Sequence, residues 1–193
     1  MVFESSRIRN SVYFPLVPVF AVGALVLLSA LLLWGPAARA VNTDTGHLPP
    51  IEVYFSPQSG STTAIVREID RAQSEIRVQA YSFTSAPIAQ ALLKAHKRGI
   101  RVEVILDKSQ KNHRYSSFVF LANARIPTYI DAEHAIAHNK IILIDRSVVI
   151  TGSFNFTKAA EEKNAENLLI IRSKELTKRY LDNWLHHRNH SAA

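Results

Sequence analysis

The chain of 193 residues contains no cysteine. Disulfide bonds, catalysis by a thiolate and zinc sites built from cysteines are therefore excluded, although this absence does not decide the cellular compartment. Internal repeats are also lacking, and the pattern His-x-Lys occurs once, at residues 138–140. We therefore expect one domain of ordinary size with a single copy of any site built on that pattern.

Charged side chains are missing from residues 10–38, which follow Arg7 and Arg9. Ala38-Arg39-Ala40 then forms an A-x-A cleavage pattern, so residues 1–40 are predicted to be a signal peptide cleaved near Ala40. The alternative is an uncleaved anchor in the inner membrane, because the uncharged stretch is long enough to span a bilayer. In both cases the folded domain lies outside the cytoplasm, in the periplasm or secreted.

Turn-forming residues fill positions 41–50, which we predict to be a linker that precedes a folded domain at 51–193. The chain has a formal net charge of +7, of which residues 1–40 carry +2, so +5 remains on the exported part. A basic surface favours polyanions such as nucleic acid or anionic lipid head groups.

Hydrophobic periodicity predicts alternating strands and helices. Strands are expected at 52–55, 76–83, 102–106, 127–130, 141–144, 148–150 and 167–171. Helices are expected at 62–73, 87–98, 116–123, 157–163 and 174–187. This alternation predicts an α/β fold in layers, with a mixed, mostly parallel β-sheet flanked by helices.

His138 and Lys140 precede the apolar run 141–144, and Asp145 follows it, in the pattern H-x-K-x4-D. The run is apolar on both faces, which predicts a buried strand. Residues two apart on a strand share a face, so His138 and Lys140 point the same way and Asp145 points to the opposite side. We expect Asp145 to hold neighbouring backbone or a basic side chain, and not to act as a nucleophile.

Ser153 and Asn155 follow the next predicted strand, after Gly152, which permits a close approach of backbone to a ligand. A histidine can attack phosphorus or carry a proton, and a lysine can neutralise phosphoryl oxygens. A serine hydroxyl and an asparagine amide can donate hydrogen bonds to the same oxygens. One hairpin brings these groups to the same end of adjacent strands, which predicts a site for phosphodiester chemistry.

Residues 138–157, HNKIILIDRSVVITGSFNFT, resemble the HKD motif of the phospholipase D superfamily. Four further segments resemble its small bacterial endonucleases with a single motif: VYFSP (53–57), VQAYSFTSAPIAQAL (78–92), VILDKSQ (104–110) and KAAEEKNAENLLII (158–171). The resemblance covers roughly residues 51–172 and implies a phospholipase D-like fold and a hydrolase that cleaves phosphodiesters.

The resemblance also implies roles for individual residues. The implied catalytic set is His138, Lys140, Asp145, Ser153, Asn155 and Glu166. In it, His138 is the catalytic histidine, and the lysine, serine and asparagine bind phosphate. Glu166 orients the histidine through its second ring nitrogen, and Asp145 has a supporting role.

The resemblance implies chemistry without a metal or other cofactor. His134 lies four residues before His138, with Asp131 upstream, and this spacing leaves a zinc site open as the minor alternative. Three histidines, His186, His187 and His190, end the last predicted helix, where we expect them to interact with the helix dipole.

A basic loop follows the predicted strand 102–106 and contains Lys108, Lys111 and Arg114. Ligands bind at the carboxyl ends of strands in α/β sheets, so these residues are candidate contacts to a nucleic-acid backbone. Tyr115 and Phe118 are candidates for stacking on bases. A solvated charged loop without a function is the equal alternative.

These observations favour a non-specific endonuclease acting on DNA, and on RNA as a further substrate. By resemblance, one His138 attacks phosphorus to form a phosphohistidine, and a second His138 protonates the leaving oxygen. Because the chain has one such histidine, we expect a homodimer with the active site on its two-fold axis. The alternatives are a phospholipase D-type lipid phosphodiesterase and a nucleic-acid-binding protein without turnover.

Overall fold

The computed structural model describes residues 48–192. The predicted signal peptide and most of the predicted linker lie outside these residues. The strands are β1 (Ile51–Ser56), β2 (Glu75–Ala80), β3 (Arg101–Asp107), β4 (Thr128–Asp131), β5 (Lys140–Ile144), β6 (Val148–Gly152) and β7 (Glu166–Arg172). The helices are α1 (Ser61–Arg71), α2 (Ala86–Lys97), α3 (Phe118–Asn123), α4 (Lys158–Glu162) and α5 (Lys174–His190), with one 3₁₀ turn at Lys108–Gln110.

The seven strands form one mixed sheet in the order β1-β7-β6-β5-β2-β3-β4. Only β2–β3 and β3–β4 are parallel neighbours, while the four other neighbouring pairs are antiparallel. The prediction of an α/β fold with a mixed sheet and flanking helices is confirmed, but the prediction that the sheet is mostly parallel is wrong. A parallel neighbour needs a long crossover, whereas β5 and β6 are joined by a short turn that favours antiparallel pairing. The antiparallel pairs β1–β7 and β2–β5 join strands that are far apart in the sequence.

Helices cover both faces of the sheet and divide its apolar residues into two cores. The larger core contains buried residues of α1 and α2 together with Val78, Ile142 and Ile150. The smaller core packs Trp184 of α5 against Ile105, Ile141, Leu143 and Val149. Neighbouring residues of β5 therefore alternate between the two cores, as a buried central strand requires.

The strand register places one end of every strand at a common edge, which we call the motif edge. Residues at this edge are Ser56, Ala80, Asp107, Asp131, Lys140, Gly152 and Glu166. Lys140 opens β5 and follows the same alternation as Ile142 and Ile144, whose side chains lie in the larger core. The fold thus collects the polar ends of separate strands on one side of the domain.

Within residues 48–192, no helix has both the length and the apolar character needed to cross a membrane.

Candidate active site

The backbone around His138 is fixed by groups from two neighbouring strands. Asp107, at the end of β3, accepts a hydrogen bond from the Ala137 backbone N–H through Oδ2 at 2.7 Å. The Tyr81 backbone N–H donates to the Asn139 carbonyl at 2.8 Å, and Gln79 Nε2 donates to Asn139 Oδ1 at 3.2 Å. His138 therefore has an anchored residue on each side while its own side chain is exposed.

Tyr81 lies between His138 and Lys140. Its ring centroid is 4.4 Å from that of His138, with the planes tilted by 58°. Lys140 Nζ lies 5.2 Å from the centre of the same ring and donates a hydrogen bond to the His138 carbonyl at 2.8 Å. The His-x-Lys pair is thus held by one aromatic side chain and by a contact within the pair.

Lys140 is buried to 7% residual exposure, unusual for a charged side chain. Burial lowers the pKa of its ammonium group, and the negative charge of Glu166 opposes this shift without cancelling it. A desolvated ammonium interacts strongly with an anion, because few water molecules screen its charge. The position therefore suits a lysine that neutralises phosphoryl oxygens.

Gly152 and Ser153 join the end of β6 to β7. The backbone N–H of Ser153 donates to the Asn167 carbonyl at 3.1 Å, and Ser153 Oγ accepts from the Asn167 N–H at 3.0 Å. Gly152 has a φ of +145°, and a Cβ built there would lie 2.2 Å from the Asn167 carbonyl oxygen. Only glycine fits this contact, which leaves the exposed Ser153 at the motif edge.

Asn155 lies in a segment that is tied to the chain following β2. The Phe156 backbone N–H donates to the Ser82 carbonyl at 3.2 Å, and the Phe156 carbonyl accepts from Thr84 and Ser85, both at 2.9 Å. Asn155 Oδ1 is buried and has no hydrogen-bond partner among residues 48–192. Buried polar atoms are nearly always paired, so this oxygen is able to accept a hydrogen bond from a further group at the site.

Glu166 stands at the start of β7 on the motif edge. Its Oε1 accepts a hydrogen bond from Asn164 Nδ2 at 3.2 Å. In residues 48–192 the histidines paired with carboxylates are His134, His187 and His190, and His138 is not among them. The orienting role of Glu166 therefore stays a prediction, while its charge does act on Lys140.

Asp145 lies at the other end of β5 from the motif edge. Its carboxylate accepts four hydrogen bonds: from the Gln73 N–H at 2.9 Å, from the Ser74 N–H and Oγ, both at 2.8 Å, and from the Glu75 N–H at 3.1 Å. Burial raises the pKa of this carboxyl, but the hydrogen bonds outweigh burial and hold the pKa below its usual value. Asp145 thus joins the β5–β6 turn to the segment that precedes β2.

The basic loop lies beside the site, because the Ser117 N–H donates to the Phe83 carbonyl at 2.8 Å, two residues beyond Tyr81. Lys111 and Arg114 are exposed, with the Arg114 guanidinium 5.6 Å from the Tyr115 ring. The Lys108 ammonium already donates to the His134 carbonyl at 2.9 Å. Phe118 is half-buried and packs against the larger core, and its stacking on a base stays a prediction.

The remaining histidines form a group separate from His138. Asp131, His134, His187 and His190 each bring one ligand atom within 4.8 Å of the others. The spacing of His134 and His138 therefore does not make a shared site. The prediction that the helix dipole is the main contact of the C-terminal histidines is wrong for His187 and His190, whose rings face Asp131.

Comparison with known proteins decides the family. Residues 65–187 match the family described as "Cardiolipin synthase, PLD-like domain". The chain is 46% identical over 150 residues to a phospholipase D from Rickettsia felis, covering 78% of this chain and 75% of that protein. The chain belongs to the phospholipase D superfamily. It is therefore a phosphodiesterase of the hydrolase type, as the HKD motif predicted.

Two solved structures share the fold of this superfamily member. Nuc, a phospholipase D family member from Salmonella typhimurium, matches with a TM-score of 0.71 and 38% identity, covering 74% of this chain and 96% of that one. NucT from Helicobacter pylori matches with a TM-score of 0.69 and 24% identity, covering 75% and 98% of the two chains. The predicted α/β fold is confirmed by these matches.

Three residues that position the site were missed from the sequence: Gln79, Tyr81 and Asp107. Asp107 directly follows the predicted strand 102–106, which is the signal that would have found it. Gln79 and Tyr81 lie inside the predicted strand 76–83, and they stand at a strand end only because the observed β2 ends at Ala80. Ligand-binding groups collect at strand ends in α/β sheets, and polar residues there were not treated as site candidates.

Proposed function

We propose that this phosphodiesterase is an endonuclease that cleaves DNA with little sequence preference, and RNA as a further substrate. The observation that carries this proposal is that Lys111, Arg114 and Tyr115 are exposed in a loop close to Tyr81. A backbone hydrogen bond from Ser117 to Phe83 holds this loop in place. A cation for phosphates next to an exposed ring for bases is a common arrangement for binding single-stranded or flexible nucleic acid.

The proposed chemistry uses two copies of His138 at one phosphate. The ring nitrogen of one attacks phosphorus as the bond to the leaving oxygen breaks, and the second histidine gives that oxygen a proton. Water then loses a proton to the second histidine and displaces the first from phosphorus. Lys140, Ser153 and Asn155 stabilise the charge on the non-bridging oxygens, so the chemistry draws on side chains and not on a metal ion.

A homodimer supplies the second histidine, with the motif edges of two chains meeting at a two-fold axis. Support comes from the buried Asn155 Oδ1, which finds no hydrogen-bond partner in the part of the chain that the structure describes. Further support is an uncovered apolar strip on the edge strand β1, where Val53 is 49% and Phe55 is 70% exposed. Phe55 pairs with Asn167 next to the motif edge, so a second copy that packs against the motif edge can also cover part of this strip.

Subunit mixing tests the shared site. Wild-type chains are mixed with an equal amount of His138→Ala chains and allowed to exchange. If each site needs both histidines, about a quarter of the dimers stay active after random exchange. The control mixes wild type with His186→Ala, an exposed histidine outside the site, and should keep full activity. Mixed His138→Ala dimers with half the wild-type activity, or a fully active monomer at high dilution, would refute the shared site.

A lipid phosphodiesterase is the second candidate, favoured by the Rickettsia relative named phospholipase D and by the description of the matching family. The test incubates the full-length enzyme with DNA, RNA and anionic phospholipid vesicles in excess EDTA. We expect cleavage of nucleic acid, and cleavage of vesicles with nucleic acid intact would establish the second candidate. Binding to DNA without any cleavage would support a protein without turnover.

Charge reversal tests the basic loop. The double variant Lys111→Glu/Arg114→Glu should weaken DNA binding equally for all sequences. The slope of the logarithm of the binding constant against the logarithm of the salt concentration should fall by the equivalent of about two phosphate contacts. The control reverses Lys94 and Lys97, two exposed lysines near the end of α2 away from the motif edge. Equal losses in both double variants would show that net charge, and not this loop, binds DNA.

We also propose that the enzyme acts outside the cytoplasm, because the basic residues, the uncharged stretch 10–38 and the A-x-A pattern at 38–40 follow the order of a signal peptide. Fractionation of cells that make the full-length chain, with N-terminal sequencing of the product, tests this. A mature chain that starts at Val41 supports cleavage, an intact membrane-bound chain supports the anchor, and an intact cytoplasmic chain refutes export.

A further inference from the structure

A group of three histidines and one aspartate lies on the motif edge, at β4, away from the proposed chemistry. Asp131 ends β4, His134 lies in the following loop, and His187 and His190 stand one turn apart near the end of α5. We call Asp131, His134, His187 and His190 the histidine cluster. One ligand atom from each lies within 4.8 Å of all the others.

We propose that the histidine cluster binds one transition metal ion of the zinc class and that this ion fastens the loop before His138 to the end of α5. Three imidazole nitrogens and one carboxylate oxygen make a set of four ligands of the kinds that zinc binds in proteins. Calcium and magnesium are disfavoured because they prefer oxygen ligands throughout.

The distances already approach those of a tetrahedral site. His187 Nδ1 is 2.7 Å from Asp131 Oδ2, His190 Nε2 is 3.3 Å from the same oxygen, and His134 Nδ1 is 3.2 Å from Oδ1. Zinc bonds of 2.0–2.1 Å place tetrahedral ligand atoms about 3.3 Å apart. The His134 side chain is 42% exposed in a loop, so it has room to close the longer separations.

Hydrogen bonding to Asp131 does not account for every member of the cluster. His134 and His187 are both aligned for hydrogen bonds to the carboxylate. His190 Nε2 is close to it but is not aligned, so this buried nitrogen is left without a hydrogen-bond partner within the described range 48–192. Its other ring nitrogen, Nδ1, lies 3.6 Å from Glu133 Oε2. A ring with one nitrogen turned into the cluster and the other near a carboxylate is the usual arrangement of a metal-bound histidine.

The position of the cluster gives the ion a structural role. Ile130 pairs with Leu106, which pairs with Ala80, which pairs with Lys140, so three strand spacings of about 4.8 Å separate the cluster from the proposed chemistry. His134 is only four residues before His138 along the chain. Backbone hydrogen bonds between Ile130 and Ala192, at 2.7 and 3.0 Å, already hold the end of the chain against β4. An ion bound there adds a direct link from α5 to the loop that carries His138.

The experiment measures zinc binding by the full-length chain after removal of metals. We expect one zinc per chain, a rise of the melting temperature with added zinc, and a tetrahedral absorption spectrum with cobalt. The double variant His187→Ala/His190→Ala should lose affinity on the order of 100-fold or more. His186→Ala removes an exposed histidine of the same helix that lies outside the cluster, and it should bind zinc as wild type does.

Two further variants keep the test decisive. His134→Ala changes an exposed loop residue, so it should fold normally by circular dichroism and still lose zinc affinity. His138→Ala should retain the zinc, because His138 is not part of the cluster. The proposal is overturned if wild type binds no zinc, if the His187→Ala/His190→Ala variant binds as wild type does, or if His138→Ala removes the ion.

Discussion

Replacing Asp145 tests whether this residue of the HKD motif stabilises the fold and does not take part in the chemistry. Asp145 accepts four hydrogen bonds from Gln73, Ser74 and Glu75. It also has a φ of +51° in the β5–β6 turn, a left-handed conformation that glycine adopts more easily than alanine. Asp145→Gly therefore removes the carboxylate without backbone strain, and Asp145→Ala removes the carboxylate and adds strain.

The magnitudes follow from these contacts. Each hydrogen bond contributes about 0.5–1.5 kcal/mol net, and the exposed donors of Gln73 and Ser74 can turn to water, so Asp145→Gly should cost about 2–3 kcal/mol. Asp145→Ala should cost about 1 kcal/mol more. For a chain of this length the first loss lowers the melting temperature by roughly 5–10 °C.

Activity should behave differently from stability. Five residue steps of about 3.3 Å along β5 separate Asp145 from Lys140, so turnover below the melting transition should stay within about twofold of wild type. Thermal unfolding by circular dichroism and steady-state kinetics on the same samples check this. The reasoning is refuted if Asp145→Gly melts like wild type but loses most of its turnover.

The acid side of the stability curve gives a further check on the same residue. The pKa of Asp145 is below its usual value in the folded protein. The contribution of Asp145 to the free energy of unfolding is therefore fully present above the ordinary carboxyl pKa, near 4, and is lost as the pH falls through the folded-state pKa. Asp145→Gly should therefore lose less stability than wild type between about pH 5 and pH 2. Equal acid losses in the two proteins would show that the carboxylate is not stabilised by these hydrogen bonds.

Two other perturbations test the motif edge. Gly152→Ala should lower the free energy of unfolding by about 3 kcal/mol or more, because its Cβ meets the Asn167 backbone. In the control Gly99→Ala, φ is +89° and no atom lies within 4 Å of the Cβ, so the loss should be about 1 kcal/mol. Similar melting temperatures for the two variants would contradict this. Glu166→Gln removes the charge that raises the pKa of Lys140, so the alkaline limit of the pH–rate profile should move to lower pH. The control Glu162→Gln changes an exposed glutamate and should leave this limit unchanged. A limit that does not move in either variant would exclude an effect of Glu166 on the pKa of Lys140.

The sequence allowed the motif hairpin to be predicted because strand alternation is local. Lys140 and Asp145 are an odd number of residues apart along β5, which predicted that they point to opposite sides. The hydrogen bonds of Asp145 agree with the structural role expected for it. Strand order is not local, so the position of β1 beside β7 at the far edge was not predictable from periodicity. The excess of antiparallel pairs was missed for the same reason.

The histidine cluster shows a second limit of reasoning from the sequence. His187 and His190 are more than fifty residues from Asp131, and they meet it because α5 packs against β4. His190 is part of the helix because α5 runs three residues beyond its predicted end. Spacing suggested His134 and His138 as a pair, but the loop between them turns the two side chains to different groups. Contacts between segments that are distant in the sequence, and not a short spacing, therefore determine which histidines form the cluster.

The most direct test of the proposed chemistry is to trap the intermediate on His138. The full-length enzyme is mixed with bis(p-nitrophenyl) phosphate, a diester that does not depend on polymer preference, then quenched in alkaline denaturant and mapped by mass spectrometry. If the proposed chemistry is right, we expect a burst of p-nitrophenol and a nitrophenyl phosphoryl group on the peptide that contains His138. Turnover that starts without a burst and leaves His138 unmodified, or an adduct on another residue, would contradict it.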